Sequence, residues 1–324
     1  MIISRTPVRI SFFGGGTDFR DFYTRSFGAV LSTAIKKYIY VAVNTKFDDN
    51  IRVSYSETEN VDSLDKIKHD LVRECMRDCK IDKKVEIVTI ADIPGHGSGL
   101  GSSSSLTVGL LNALDAYTNN QRSAAMLAKE ACRIEIEVLK NPIGKQDQYI
   151  AAFGGFRYIK FFPDEKVSVE PIVLSDNTFE ELKNNLISFY IPGLRASTEI
   201  LSDQKKNISE RIQVLEKMRD QAEEGRDLLK DGDISAFGSL LDQAWKLKSS
   251  LSSKISTSTI NEYYATGLKA GAMGGKLSGA GGSGFLTFYC EKEWQKKLRD
   301  ALSGLKEMDI DFEPEGTKIL YSDH

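Results

Sequence analysis

The residues best suited to chemistry in this chain lie in one loop, Pro94-Gly95-His96-Gly97-Ser98-Gly99-Leu100-Gly101-Ser102-Ser103-Ser104-Ser105. Glycines lack a Cβ, so a backbone rich in them turns tightly and approaches an anion closely. The serines add hydroxyls that bond phosphate or a metal ion. An apolar strand-like run, Val85 to Ile93, leads into the loop. A helical pattern leaves it, with Leu106, Leu110, Ala113, Leu114 and Tyr117 on one side. A helix starting there presents unpaired N–H groups and the positive end of its dipole. Strand, glycine loop and helix start together form a phosphate-binding layout. It is not a Walker A motif, because no Gly-Lys-Ser/Thr closes it. The competing reading is a flexible linker, but linkers seldom sit between a buried strand and an amphipathic helix.

Around this loop the chain alternates strands, turns and helices. Strands are predicted over Ile2–Phe13 and Ala34–Phe47, separated by a second glycine turn, Gly14-Gly15-Gly16-Thr17-Asp18. Helices are predicted over Leu64–Cys79, Ser103–Asn119 and Ser123–Lys140, the last broken by Asn141-Pro142-Ile143-Gly144. Short strands follow at Gly155–Phe162 and Val167–Pro171. From about residue 170 a second half begins, with a strand at Asn185–Ile191 and a long polar helix from Thr198 to Lys230. Two more helices are expected at Ile234–Leu251 and Thr257–Ala270. A third glycine-rich segment, Gly271 to Gly284, carries seven glycines in fourteen positions. It feeds a strand, Phe285–Tyr289. A helix at Lys292–Lys306 and a strand at Lys318–Tyr321 close the chain. Strands beside segregated helices imply an α+β fold in two domains, 1–170 and 171–324.

Bulk properties narrow the function. The length of 324 residues suits about two domains. With 41% hydrophobic and 27% charged residues, the composition is that of an ordinary soluble protein. A net charge of −3 argues against a nucleic-acid partner. No apolar run reaches the ~20 residues that span a bilayer, so no membrane partner is expected. Met1-Ile2-Ile3-Ser4-Arg5 reads as the start of a strand rather than a signal peptide. Cys75, Cys79, Cys132 and Cys290 have no disulfide or zinc spacing and suit a reducing cytoplasm. The three histidines, His69, His96 and His324, support neither a histidine metal site nor a Ser-His-Asp triad. His96 lies in the phosphate loop, either against a ligand or as a tolerated loop residue.

Three motifs stand in order: Pro7 to Asp18, Pro94 to Ser105, and Lys276-Leu277-Ser278-Gly279-Ala280-Gly281-Gly282-Ser283-Gly284. Together, with Gly144-Lys145-Gln146-Asp147-Gln148 between the last two, they resemble the GHMP kinase superfamily. The resemblance covers nearly the whole chain. It implies a small-molecule kinase dependent on ATP and magnesium (Mg2+). It also implies a fold in which an N-terminal domain like part of ribosomal protein S5 packs on a ferredoxin-like C-terminal domain. Gly14-Gly15-Gly16-Thr17-Asp18 resembles the form found in sugar kinases that act at an anomeric hydroxyl. Phe27 to Tyr38 and Pro142 to Tyr149 are similar to the D-glycero-D-manno-heptose 7-phosphate kinases, which serve nucleotide-heptose and surface-glycan synthesis. Fucokinase-like domains carry a related first motif, so another sugar such as fucose is an alternative acceptor. A non-catalytic sensor would be marked by loss of the acids or loop glycines, and these are present.

The resemblance assigns roles residue by residue. Gly95, Gly97, Ser98, Gly99, Leu100, Gly101, Ser102, Ser103 and Ser104 would hold the nucleotide phosphates. Ser103 is the expected magnesium hydroxyl, with a carboxylate from the Ser123–Lys140 helix. Glu135 and Glu137 compete for that role. Ala124, Ala128, Ala131 and Glu135 share one face, small and apolar up to Glu135, whereas Glu130, Arg133 and Glu137 share a charged one. That spacing favours Glu135. Asp147 is implied as the acid that orients, and takes a proton from, the attacking hydroxyl. Arg9 matches the basic residue of the first motif and would pair with Asp147 and offset phosphate charge. Without the family, a structural salt bridge explains this pair equally well. Gly15, Gly16, Thr17 and Asp18 are expected at the acceptor, with an Asx-turn the alternative for Asp18. Lys145 and Arg195 are candidates for an acceptor phosphate or are plain surface bases. Gly279 and Gly281 are expected to bring the third loop to the cleft, or to form a turn only.

Overall fold

The computed structural model describes residues 1–94, 97–193 and 197–323. Two β-sheets organise it. The first is built from β1 (Ile2–Phe13), β2 (Gly28–Thr45), β3 (Ile51–Ser54), β4 (Thr58–Val61), β5 (Val85–Ala91), β6 (Phe156–Phe161) and β7 (Val167–Pro171). The second holds β8 (Leu186–Ile191), β9 (Gly274–Leu277), β10 (Gly284–Tyr289) and β11 (Lys306–Met308), in the order β11-β8-β10-β9. The last strand, β12 (Lys318–Ser322), leaves the second sheet and pairs with β1 in the first.

Strand β2 is the axis of the first sheet. Its start, Gly28 to Thr33, pairs with β6, and its end, Ile39 to Thr45, pairs with β5. Side chains alternate across a strand, so neighbouring residues of β2 face opposite layers. Val30 and Ala34 join one core with Val108 and Leu111, while Leu31 and Ile35 join another with Ala222 and Phe237. Both faces are therefore covered, which leaves Thr6 to Phe13 of β1 and Gly28 to Ile35 of β2 buried without alternation.

The helices are α1 (Arg20–Tyr23), α2 (Asp70–Asp78), α3 (Ser102–Tyr117), α4 (Ala124–Cys132), α5 (Gln146–Phe153), α6 (Asp176–Asn185), α7 (Ser197–Lys206), α8 (Ile212–Asp231), α9 (Ile234–Ser250), α10 (Ser258–Lys269) and α11 (Gln295–Ala301). In the second unit, α7 to α10 separate β8 from β9, and α11 separates β10 from β11. That β-α-β-β-α-β sequence with antiparallel order 4-1-3-2 is the ferredoxin-like arrangement.

Three expected elements differ. The helix expected at Thr198–Lys230 is two helices joined by a short turn at Ile208–Glu210. Its halves bury against different partners: Ile200 and Ile208 pack with Phe19 and Phe22, while Ala222 and Leu229 pack beneath the first sheet. The helix expected at Ser123–Lys140 widens after α4 into a π-turn over Arg133–Val138. The helix expected at Leu64–Cys79 is a 3₁₀ turn at Leu64–Lys66 followed by α2. Helices α1, α5 and α6 and strands β3, β4, β9 and β11 were not foreseen.

The two units meet where glycine faces glycine. Gly99 and Gly279 both have φ above +70°, or close to it, at +70° and +76°. A Cβ on Gly279 would lie 2.4 Å from Gly99 Cα, and one on Gly99 would lie 2.4 Å from the Ser278 carbonyl oxygen. Gly279→Ala is therefore expected to cost about 1–3 kcal/mol from backbone strain and displaced backbone. Gly304→Ala, where nothing lies within 4 Å, should change stability by less than about 0.5 kcal/mol. Chemical denaturation of the two variants checks this; equal effects would contradict the contact.

Candidate active site

The meeting of the three glycine turns leaves a cleft of about 260 Å³. Helix α3 begins at its edge, directly after Gly101, so the free N–H groups of its first turn face the cleft. Gly97, Ser98, Gly99, Gly101 and Ser102 to Ser104 all line it. Leu100 does not: it is fully buried in the core, and its carbonyl accepts the Arg9 backbone N–H at 3.0 Å. The expected phosphate residue Leu100 is thus an anchor under the loop. Gly95, His96, Arg195 and His324 lie outside the described residues.

Arg9 projects from β1 and is 5% exposed. Its Nε and Nη2 each donate to one oxygen of Asp147 at 2.7 Å, and its Nη1 donates to the Gly99 carbonyl at 2.6 Å. A two-pronged guanidinium–carboxylate pair fixes orientation as well as charge. Asp147 sits in the first turn of α5, with Gly101 directly beside its carboxylate. The acid and the phosphate loop therefore share one positioning group.

Asp18 is 2% exposed and borders the same cleft. Its oxygens accept the N–H of Gly16 at 2.9 Å and of Gln146 at 3.1 Å. Burial raises its pKa above the ordinary carboxylate value, with the Asp147 charge adding to the rise and the two N–H groups opposing it. Asp18 thus ties the first turn to the start of α5 and also faces the cleft. Thr17 faces away: its hydroxyl donates to the Ala29 carbonyl at 2.9 Å and accepts the Ala29 N–H at 3.0 Å. Lys145 also turns away. Its ammonium pairs with Glu165 and lies 4.7 Å from the centre of the Tyr23 ring, outside the cleft lining. Of the two readings of Lys145, acceptor-phosphate ligand or surface base, this placement suits the surface base, held by Glu165 just before α5 begins.

Glu135 is fully buried in the π-turn, whereas Glu137 is exposed. Its Oε2 accepts from Gln148 Nε2 at 2.7 Å, and its Oε1 has no partner. Burial pushes its pKa up to about 7, against the opposing pull of the Gln148 hydrogen bond and the nearby Ser104 and Ser103 hydroxyls. No cluster of three His, Cys, Asp or Glu exists among the described residues. A hard cation that keeps most of its waters needs less: one carboxylate and one hydroxyl suffice. The orphaned Oε1 beside Ser103 and Ser104 fits magnesium on that ground.

Two lysines complete the cleft and were missed as site residues. Lys276 Nζ donates to the carbonyls of Ser11 at 2.9 Å and Phe12 at 2.8 Å. Lys248 Nζ donates to the carbonyls of Leu277, at 3.2 Å, and Gly279. Burial lowers both pKa values, Lys248 to about 7 and Lys276 well below its usual value. A signal for Lys248 existed: it continues the buried α9 stripe of Leu241, Ala244 and Trp245 at helical spacing.

Comparison with known proteins gives this cleft a family. The GHMP kinases N terminal domain matches residues 66–155, and the GHMP kinases C terminal domain matches residues 226–307, together more than half of the chain. The chain belongs to the GHMP kinase family. The family makes it a phosphotransferase and implies ATP as the phosphate donor. This GHMP kinase is 29% identical to a D-glycero-alpha-D-manno-heptose 7-phosphate kinase of Campylobacter jejuni, covering 98% of both chains. It is 27% identical to a bifunctional fucokinase/GDP-fucose pyrophosphorylase of Arabidopsis thaliana, over 69% of this chain and 22% of that protein. A crystal structure of a D-glycero-D-manno-heptose 1-phosphate kinase from Bacteroides thetaiotaomicron superposes with a TM-score of 0.82 at 25% identity, covering 99% of this chain and 100% of that one.

The Glu135 environment predicts a pH dependence. The carboxyl titrates near 4.5 ordinarily and near 7 here, so the folded state holds an extra proton between those values. Its contribution to stability is present below about pH 4.5 and is lost as pH rises through 7. Without added metal, Glu135→Gln should be more stable than wild type at pH 8 by about 2–4 kcal/mol. That advantage should vanish at pH 4. Denaturation curves at both pH values check this; a pH-independent difference would contradict it.

Proposed function

We propose that this kinase transfers the γ-phosphoryl group of ATP to the anomeric hydroxyl of D-glycero-D-manno-heptose 7-phosphate. The observation that carries the transfer is the Asp147 carboxylate, gripped by Arg9 beside the phosphate loop. The amides of residues 97–104 hold the phosphates at the start of α3. Asp147 accepts a hydrogen bond from the acceptor hydroxyl and takes its proton as the oxygen attacks phosphorus. The bond from the γ-phosphorus to the bridging oxygen breaks, and ADP leaves. Ser103 and Glu135 would hold magnesium, which would offset charge on the β- and γ-phosphates.

The charge of the cleft supports a polyanionic ligand. Arg9, Lys248 and Lys276 are three basic side chains buried beside two carboxylates, Asp18 and Asp147. Burial and the Arg9 charge both depress the Lys248 pKa, so a bound triphosphate would offset a real electrostatic cost. Asp18 is assigned to acceptor hydroxyls and the third glycine loop to the wall of the nucleotide cleft. The choice of heptose rests on the end-to-end similarity to heptose phosphate kinases. Their names place the phosphate at different carbons, so the product must be mapped. Fucose is the second acceptor to try.

A panel of sugars and sugar phosphates with ATP, read by ADP release and phosphorus NMR, tests the acceptor. The heptose 7-phosphate should give the highest kcat/KM, with new phosphate at C1. Phosphate at another carbon, or better turnover of fucose, would overturn the choice. Asp147→Asn should lower kcat by about 10²–10⁴ while ATP affinity stays within about threefold. Lys145→Ala, which alters no cleft-lining side chain, should keep kcat within about threefold. A Lys145 variant that loses activity as Asp147→Asn does would contradict its outward placement.

A further inference from the structure

The wall of the cleft beside Asp147 holds two polar atoms with nothing to bond. Ser11 Oγ and Gln146 Oε1 are buried and unpartnered, although both residues line the cleft. Ser11 is 7% exposed. Buried polar atoms are nearly always satisfied, so such a pair marks a place where a ligand completes the bonding. The two side chains converge on one point, the space above Gly15. A Cβ built there would lie 3.4 Å from Gln146 Nε2 and 3.5 Å from Ser11 Oγ. Gly15 leaves that space open, and its φ is not in the left-handed range. Asp18 accepts the Gln146 N–H and so holds the start of α5 in place.

We propose that the space above Gly15 receives one non-reacting hydroxyl of the acceptor, read by Ser11 and Gln146. The proposal rests on the sugar-kinase reading and adds to it two specificity-determining side chains. The chemistry fits a hydroxyl rather than a charged group. The amide of Gln146 presents its NH2 donor or, turned over, its oxygen acceptor to this space, and Ser11 can donate or accept in complement. A sugar hydroxyl needs both. A ring carbon bearing only hydrogen would leave the pair unsatisfied.

The test compares wild type, Gly15→Ala and Gln146→Leu on D-glycero-D-manno-heptose 7-phosphate and on its mono-deoxy analogues. Gly15→Ala sets a methyl group between the two side chains, crowding the hydroxyl out without straining the backbone, so its melting temperature should match wild type. Both variants should lose about tenfold or more in kcat/KM for the parent sugar phosphate, with the KM for ATP unchanged. One mono-deoxy analogue should be about tenfold worse for wild type, and neither variant should lose further on it. Equal losses on the parent and on every analogue would overturn the hydroxyl pocket while leaving the kinase reading intact. If wild type phosphorylates no sugar at all, the sugar-kinase reading falls and the pocket falls with it. Should Gln146→Leu fail to fold, Gly15→Ala with Ser11→Ala carries the same comparison.

Discussion

One guanidinium decides where everything else must be. Arg9 spends three donors on two targets, the carboxylate of Asp147 and the carbonyl of Gly99. A charge buried that deeply is tolerable only when paired and hydrogen-bonded. The first strand, the phosphate loop and the start of α5 are therefore bound to one another through a single side chain. Losing either partner would leave a buried charge uncompensated, so the geometry of the acid and the geometry of the loop are not independent.

The second unit closes on this frame through backbone rather than side chains. Gly99 against Gly279, and Gly284 against Ser98, are approaches that a Cβ would prevent. Lys276 then fastens the seam by donating to the Ser11 and Phe12 carbonyls across it, while Lys248 holds the third glycine loop through the Leu277 and Gly279 carbonyls. These ammonium groups are desolvated and near Arg9, which is unfavourable for an empty cleft. Under the proposed function, an anionic ligand lying along the start of α3 would offset that electrostatic cost.

Much of this was legible in the sequence, and the reasons are specific. The phosphate loop was readable because a strand and a helix flank it and glycines punctuate it. Glu135 was separable from Glu137 because the apolar stripe of α4 carries into the π-turn and keeps Glu135 inward. The directions of the Lys145 and Thr17 side chains were not legible, because a residue's type does not say on which side the backbone presents it. Helix α5 went unseen because Gln146–Phe153 is short and follows a proline and a glycine. Helix α6 buries only Thr178 and Leu182, too few to set a period. The convergence of Ser11 and Gln146 above Gly15 depends on residues over a hundred positions apart, which no local pattern reports.

The most direct test of the account is a crystal structure with a non-hydrolysable ATP analogue and the acceptor both bound. It predicts the β- and γ-phosphates against the amides of residues 97–104, with the anomeric oxygen within hydrogen-bond distance of Asp147. A nucleotide seated away from that loop, or an Asp147 carboxylate released from Arg9 and turned from the acceptor, would contradict it.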